Sequence, residues 1–412
     1  MKSLLCLLLT LVTASFCVAD ENWAEFRGSN GDGISTAKDL PVEFDVEKNL
    51  KWKLPLKGKA HSSPVIWGNQ LWITNATEDG KQMFAICLDR MTGKVIHDLL
   101  VFENAEPRYR EKTNSYASCT PAIEEGRIYL HFGSYGTTCV DTATGKKLWE
   151  RRDIECDHWR GPGSSPVIDD KNLYVAYDGY DYQFALALDK KTGKTVWKKD
   201  RDIDYGTDNG DRKKAYSTAT ILEHKGRRQV VMPSAVETIT YDPATGDVLW
   251  RVRHGGMNAA ARPLYQHGLV YISAGSGEYS LIAVKPEGTG DITDSSVVWN
   301  MAKGAPKRPS QIIKGDLMFM IEDKGVATCL NAKTGELIWQ QRVGGNYRAS
   351  LFMAADNIYS FSQEGKITVF KAKDEYEEVA VSELDTEFQA SPAVAGNQIY
   401  LKSVDTLYCF EK

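Results

Sequence analysis

Outside its first residues the chain has no apolar run that could cross a bilayer. Near the start, residues 4–12 form a short apolar core behind Lys2, and Cys17-Val18-Ala19 ends on a small residue. A membrane span needs about 20 apolar residues, so residues 1–19 read as a secretory signal peptide cut near Ala19. Phe16 is too large to precede a lipidated Cys17, so lipoprotein processing is the lesser reading. The expectation is an exported protein, periplasmic or secreted, and peripheral to a membrane at most. Positive charge is in slight deficit, with 50 Lys and Arg against 55 Asp and Glu. The formal net charge of −5 becomes −6 once Lys2 is removed, which argues against a general nucleic-acid partner. There is no Cys-x-x-Cys-His for a c-type haem. No Ser or Cys stands in a recognisable nucleophile motif, and no triad or carboxylate pair recurs at fixed spacing. No catalytic residue is assigned, and no cofactor is expected.

What the chain has is repetition. Asp189-Lys190-Lys191-Thr192-Gly193-Lys194-Thr195-Val196-Trp197 reads as a hairpin. Glycine permits a positive φ at the turn, and Asp and Thr can bond the turn's own backbone. The same pattern recurs at 141–149, 242–250 and 331–339, each ending in Trp: Trp149, Trp250 and Trp339. At 89–97 it ends in His97 instead. A stretched copy at 285–299 keeps Thr289-Gly290 and Trp299, and 371–379 is degraded. The Trp positions lie about 40 to 53 residues apart, the period of a four-stranded propeller blade.

A second pattern runs in step: a small-residue cluster, often Ser-Pro, then an apolar strand, a polar turn and another strand. It begins near residues 62, 119, 164, 217, 261, 308, 348 and 390. Eight such A–B pairs, each followed by a C–D hairpin, predict an all-β, eight-bladed propeller over residues 49–412. The last blade has a strand C and no strand D. An unpaired strand at 50–54, with Trp52 in the strand-D position, is expected to complete it and so remove the open edges. Residues 20–48 read as an arm held to the ring by Trp23 and Phe26. The glycine cluster of this arm lacks the Gly-Lys-Ser/Thr and the following helix of a phosphate loop.

Six cysteines follow the signal peptide. Cys87, Cys139, Cys329 and Cys409 share one register in four blades, a small buried place on strand C, where free Cys acts as a small hydrophobe. Cys119 and Cys156 lie outside that register and could pair. The remaining candidates are weaker. Asp204, Asp208, Asn209 and Asp211 are oxygen donors of the type Ca²⁺ takes, but without EF-hand spacing they read as a solvated loop. His254 beside Gly255-Gly256 could be a base. His131 and His224 read as structural, and His97 as filling the slot of a missing Trp.

The repeated hairpin resembles the tryptophan-docking motif of PQQ-type propellers, the fold of quinoprotein alcohol dehydrogenases. The resemblance implies that Trp52, Trp149, Trp197, Trp250, Trp299 and Trp339 each dock on the turns of neighbouring blades. The arm at 23–33, with 156–163 (CDHWRGPG) and 252–256 (VRHGG), is similar to a subgroup of secreted bacterial PQQ-like propellers. The dehydrogenases carry two adjacent cysteines whose disulfide covers the quinone, and no two cysteines are adjacent here. The long insertions that wall their cofactor are also missing. Reduced length and export resemble instead the BamB-type propellers of outer-membrane assembly, which are non-enzymatic scaffolds. A repeat implies a fold, not a cofactor.

In such a ring the D–A loops deliver side chains to the axial mouth. Here they carry His61, Tyr116, His158, Arg160, Tyr216, Asn258, Arg308 and Arg348, with Lys59, Arg262 and Lys307 nearby. Converging cationic and aromatic groups suit an anionic or sugar-like ligand, or an acidic protein segment. The leading expectation is an exported, monomeric binding or scaffold propeller with a protein, glycan or anionic ligand at that face. A small PQQ-dependent oxidoreductase and a carbohydrate-active hydrolase or lyase are the alternatives.

Overall fold

The computed structural model describes residues 22–277 and 280–412, so the expected signal peptide lies outside the described residues. Eight antiparallel sheets follow one another at 65–103, 122–151, 167–200, 220–253, 264–301, 312–342, 352–383 and 393–410. They are numbered here as blades one to eight. Within a blade, strands A to D run from axis to rim, and burial follows that order. In blade three, strand B (Asn172–Asp178) is buried at every position, because neighbouring blades cover both its faces. Strand D (Thr195–Asp200) is exposed at most positions. Strands B and C therefore read as nearly continuous apolar runs, while D carries the charge.

The hairpin motif explains how blades dock. In blade three, Asp189 Oδ1 accepts from Thr192 N and Thr192 Oγ1, both at 2.8 Å. Gly193 takes φ +71. A Cβ on Gly193 would lie 2.5 Å from the Trp149 ring, so glycine is required by both the turn and the close approach. Trp149 Nε1 donates to Lys190 O at 2.9 Å. The same bond joins Trp52 to Arg90 O, Trp197 to Pro243 O, Trp299 to Ala332 O and Trp339 to Lys373 O. Trp250 differs: its Nε1 donates to Gln229 Oε1 at 2.7 Å, and Gln229 Nε2 reaches Pro286 O in the next blade. The departure follows from the stretched copy. Instead of turning at Thr289-Gly290, the chain adds Gly290–Asp291 as a parallel fifth strand on blade four. It then makes one helical turn, Thr293–Ser296, before Trp299. His97 sits against Gly145, 3.3 Å from where its Cβ would be, and stacks on Trp72. Trp197 and Trp250 are buried, whereas Trp52, Trp149 and Trp339 are only half-buried, because the rim leaves one ring edge in solvent.

The ring closes as the missing strand D predicts. Leu50–Pro55 pairs antiparallel with Thr406–Phe410, and Trp52 lies opposite Cys409. All six described cysteines are buried free thiols, so Cys119 and Cys156 do not pair.

The arm does more than lie against the ring. Trp23 bridges Ile66 in strand A of blade one, and Ala24 O accepts from Ile123 N in strand A of blade two. Arg262, at the start of blade five, donates to Phe26 O and to Glu25 Oε1, both at 2.7 Å. Arg27 reaches Gln311 O at blade six, and Ile34–Ser35 pairs parallel with Phe352–Ala354 of blade seven. Strands A line the axis, so a segment that touches three of them and the residues just before two more crosses the channel. Residues 23–35 are a plug.

Candidate functional site

The plug turns the channel into a blind cavity of about 740 Å³ that opens on the face of the D–A and B–C loops. Phe26 forms part of its floor. Around the axis each blade places one residue at the start of strand A: Ser63, Thr120, Ser165, Thr218, Arg262, Ser310, Ser350 and Ser391. Their backbones and hydroxyls link blade to blade. Ser63 N donates to Thr120 Oγ1, Thr120 N to Ser165 Oγ, and Ser165 N to Thr218 Oγ1. Arg262 N donates to Ser310 Oγ, Ser310 N to Ser350 Oγ, and Ser350 N to Ser391 Oγ. This is why the repeated cluster is small and hydroxylated: six of its seven hydroxyls each satisfy a backbone N–H of the preceding blade. Arg262 breaks the pattern because its guanidinium turns away from the mouth to hold the plug.

Six of the eight expected mouth residues line this cavity: His61, Arg160, Tyr216, Asn258, Arg308 and Arg348. Tyr116 and His158 do not. Tyr116 packs edge-on against Tyr135 and donates to Arg108 O, filling the space above Gly80. His158 is turned between blades two and three, where it stacks near Tyr177 and accepts from Ser134 N. Both stand at the right place in the sequence, but their loops fold back and aim them at a blade seam. Glu111, Asn114 and Tyr347, on D–A loops expected at the mouth, also line the cavity, whereas sequence reading passed over Glu322, Asp323, Lys324 and Gln363. Glu322 to Lys324 and Gln363 come from B–C loops. Those loops share the mouth face, which was the available signal.

Five cations (Arg160, Lys307, Arg308, Lys324 and Arg348) face three carboxylates (Glu111, Glu322 and Asp323) across the lining. The arginines are not equivalent. Arg160 makes a two-pronged contact with Asp211, at 2.8 and 2.6 Å, which holds that carboxyl at about 2. Arg308 donates to Asp323 Oδ2 at 2.6 Å. Arg348 donates only to neutral oxygens, Thr113 O at 2.9 Å and Gln389 Oε1 at 3.1 Å. Burial, and then the neighbouring Arg308, push its pKa down. Its Nε is buried without a partner, as are His61 Nε2, Tyr216 OH and Asn258 Oδ1. Asn258 is held at φ +58. Burial, then Lys402 and Lys59, drive the His61 pKa well below its usual value, so the ring is a neutral hydrogen-bonding group at physiological pH.

The other candidates are placed elsewhere. His254 is buried against Thr238 Oγ1 and Gly255 O, and burial pushes it down to about 4. In the 204–211 loop, Asp211 is committed to Arg160 and Lys214. Among the described residues no three His, Cys, Asp or Glu side chains gather to hold a metal. The cavity does not fit a quinone covered by paired cysteines: Cys119 and Cys156 are free thiols and neither lines it.

The family model described as outer membrane protein assembly factor BamB matches residues 34–177, 80–224 and 183–412. No curated protein matches the sequence. Among solved structures, BamB from Moraxella catarrhalis is similar at 14% identity, covering 88% of this chain and 99% of that one, with a TM-score of 0.62. A europium-containing methanol dehydrogenase is similar at 10% identity, over 95% of this chain and 98% of that one, with a TM-score of 0.72. Quinohemoprotein alcohol dehydrogenase from Comamonas testosteroni is similar at 12% identity, over 95% and 80%, with a TM-score of 0.69. At these identities the likenesses establish the fold alone.

Proposed function

As the chain belongs to the family of the outer membrane protein assembly factor BamB, we propose that it is a non-enzymatic binding propeller of the exported compartment, and that its blind axial cavity holds an anionic ligand or segment. The observation that carries this reading is Arg348. It is a half-buried guanidinium that lines the cavity, donates to no carboxylate, and shares that lining with His61, Tyr216 and Asn258, which carry orphaned polar atoms. A buried polar group without a partner costs roughly 1–3 kcal/mol. Four residues of the cavity lining carry such atoms, each sealed from solvent as it stands, so a ligand would reach them only as these side chains turn.

The test is titration of the protein with oligogalacturonate and with polyglutamate, at low and high salt. Binding of at least one is expected, weaker at high salt and reduced about tenfold or more by Arg348→Ala. Binding indifferent to Arg348→Ala, but abolished by changes in the Thr-Gly turns of the opposite face, would place the site on the wrong end of the ring.

A further inference from the structure

The motif at 156–163 supplies Arg160 to the cavity, but its most conspicuous residue is left without a task. Trp159 is a large apolar side chain that is 44% exposed. It also sits at φ +53, a conformation that costs a bulky residue energy unless the surroundings impose it. The surroundings do impose it. Asp157 Oδ1 accepts from Trp159 N at 2.7 Å, Asp157 N donates to Asp181 Oδ1 at 2.7 Å, and Tyr180 N donates to Asp157 O at 2.6 Å. The partner loop is itself anchored, because Asp178 is paired with the buried Arg201 at 2.9 and 2.8 Å. Gly179 permits the approach: a Cβ there would lie 2.3 Å from Cys156 Sγ.

Strain and bracing together present one surface. The Trp159 ring lies 5.3 Å from the ring of Tyr109 and 5.5 Å from that of Tyr180, and both tyrosines are exposed. Tyr109 comes from the D–A loop between blades one and two, Trp159 from the next D–A loop, and Tyr180 from a B–C loop. All three therefore stand on the mouth face. The ledge runs directly into the cavity, since Arg160 follows Trp159 and the Tyr109 hydroxyl touches the lining residue Glu111.

We propose that this ledge is a sugar-stacking subsite continuous with the axial cavity, and that the ligand is an acidic polysaccharide. Its pyranose rings lie on Tyr109, Trp159 and Tyr180, and its anionic groups enter toward Arg348. This rests on the anion-binding reading of the cavity. Three observations favour a glycan over an acidic protein segment. The ledge is wholly aromatic, offering flat faces for C–H contact and tyrosine hydroxyls at the edges. The cavity below it is walled chiefly by hydroxyl, amide and charged groups rather than by the aliphatic side chains that receive a protein anchor. Its orphaned atoms include a donor, Arg348 Nε, and an amide oxygen, Asn258 Oδ1. An Asp or Glu side chain only accepts, so a peptide would need its backbone N–H to meet Asn258, whereas a uronate or sulfated sugar carries hydroxyl donors and anionic acceptors on one ring.

The experiment titrates wild type, Trp159→Ala, Tyr180→Ala and Arg348→Ala with oligogalacturonate, a sulfated galactan oligomer, neutral cello-oligosaccharide and polyglutamate. Melting curves confirm that each variant is folded. The expected result is binding of the uronate, the sulfated oligomer or both, weakened about five- to tenfold by Trp159→Ala or Tyr180→Ala and more by Arg348→Ala. The neutral oligomer should bind weakly, depend on Trp159 and Tyr180, and ignore Arg348→Ala. Acidic-glycan binding that falls with Arg348→Ala but ignores both ledge changes overturns the ledge and leaves the cavity reading standing. Polyglutamate binding with equal dependence on Trp159 assigns the surface to a protein segment and overturns the proposal. If no anion binds, both readings fall.

Discussion

The docking tryptophans show how much one position depends on its distance from the axis. Trp197 is buried, stacks on Tyr241 and donates to Pro243 O. Trp197→Ala is expected to cost about 3–5 kcal/mol, the range for truncating a core aromatic. Trp149→Ala, at a half-buried site with the same hydrogen bond, should cost less. Urea midpoints of the two variants check the order. Histidines make a second prediction. Burial pushes His131 to about 3 and His158 and His254 to about 4, and His61 is also well below its usual value. The folded state then binds fewer protons than the unfolded state, whose histidines titrate near about 6.5. Their contribution is therefore complete above that pH and is lost as pH falls toward the folded values. Glu25, Asp178 and Glu237, raised by burial, act in the opposite sense in acid. The denaturant midpoint should drop between about pH 6.5 and 4, and His254→Gln should flatten that slope. A slope unchanged in the variant would show that His254 does not contribute.

At the scale of elements, two segments near the start of the chain have separable roles. Leu50–Pro55 completes blade eight, and residues 23–35 plug the channel. Removing 20–56 should leave no soluble monomer, because Thr406–Phe410 becomes an open edge that invites pairing. Removing only 20–35 should leave a folded, less stable ring, and size-exclusion profiles distinguish the two outcomes. A well-folded monomer from the longer deletion would refute the closure. The blade count and the closing strand were legible in the sequence because both follow from local periodicity. The plug was not. Residues 23–35 carry no period, and their partners, such as Arg262 for Glu25, are far apart along the chain. The site was legible to the extent that position before strand A determines direction. That worked for His61, Arg160 and Arg348. It failed for Tyr116 and His158, whose loops are long enough to fold back. Trp250 shows the same limit, since its altered docking depends on an inserted strand in the neighbouring blade.

For the whole molecule, eight sheets meeting at one axis give a rigid frame on which the loops of one face can vary without disturbing the core. No helix among the described residues is long and apolar enough to cross a membrane. Net negative charge is spread over the ring, while the cations gather at the mouth. The proposed anion site would thus be a locally cationic mouth, five Lys and Arg against three carboxylates, on a chain of net negative charge. The closure has a consequence in time as well as in space. A ribosome makes Leu50–Pro55 about 350 residues before Thr406–Phe410. At about 5–20 residues per second, the first strand waits roughly 20 to 70 s for its mate. Seven complete blades can form during that interval, yet the circle stays open until the final strands arrive. A chain released early would carry two unsatisfied edges and a finished-looking core. The final strands therefore serve as a proofreading mark: a ring that has closed was translated to its last strand.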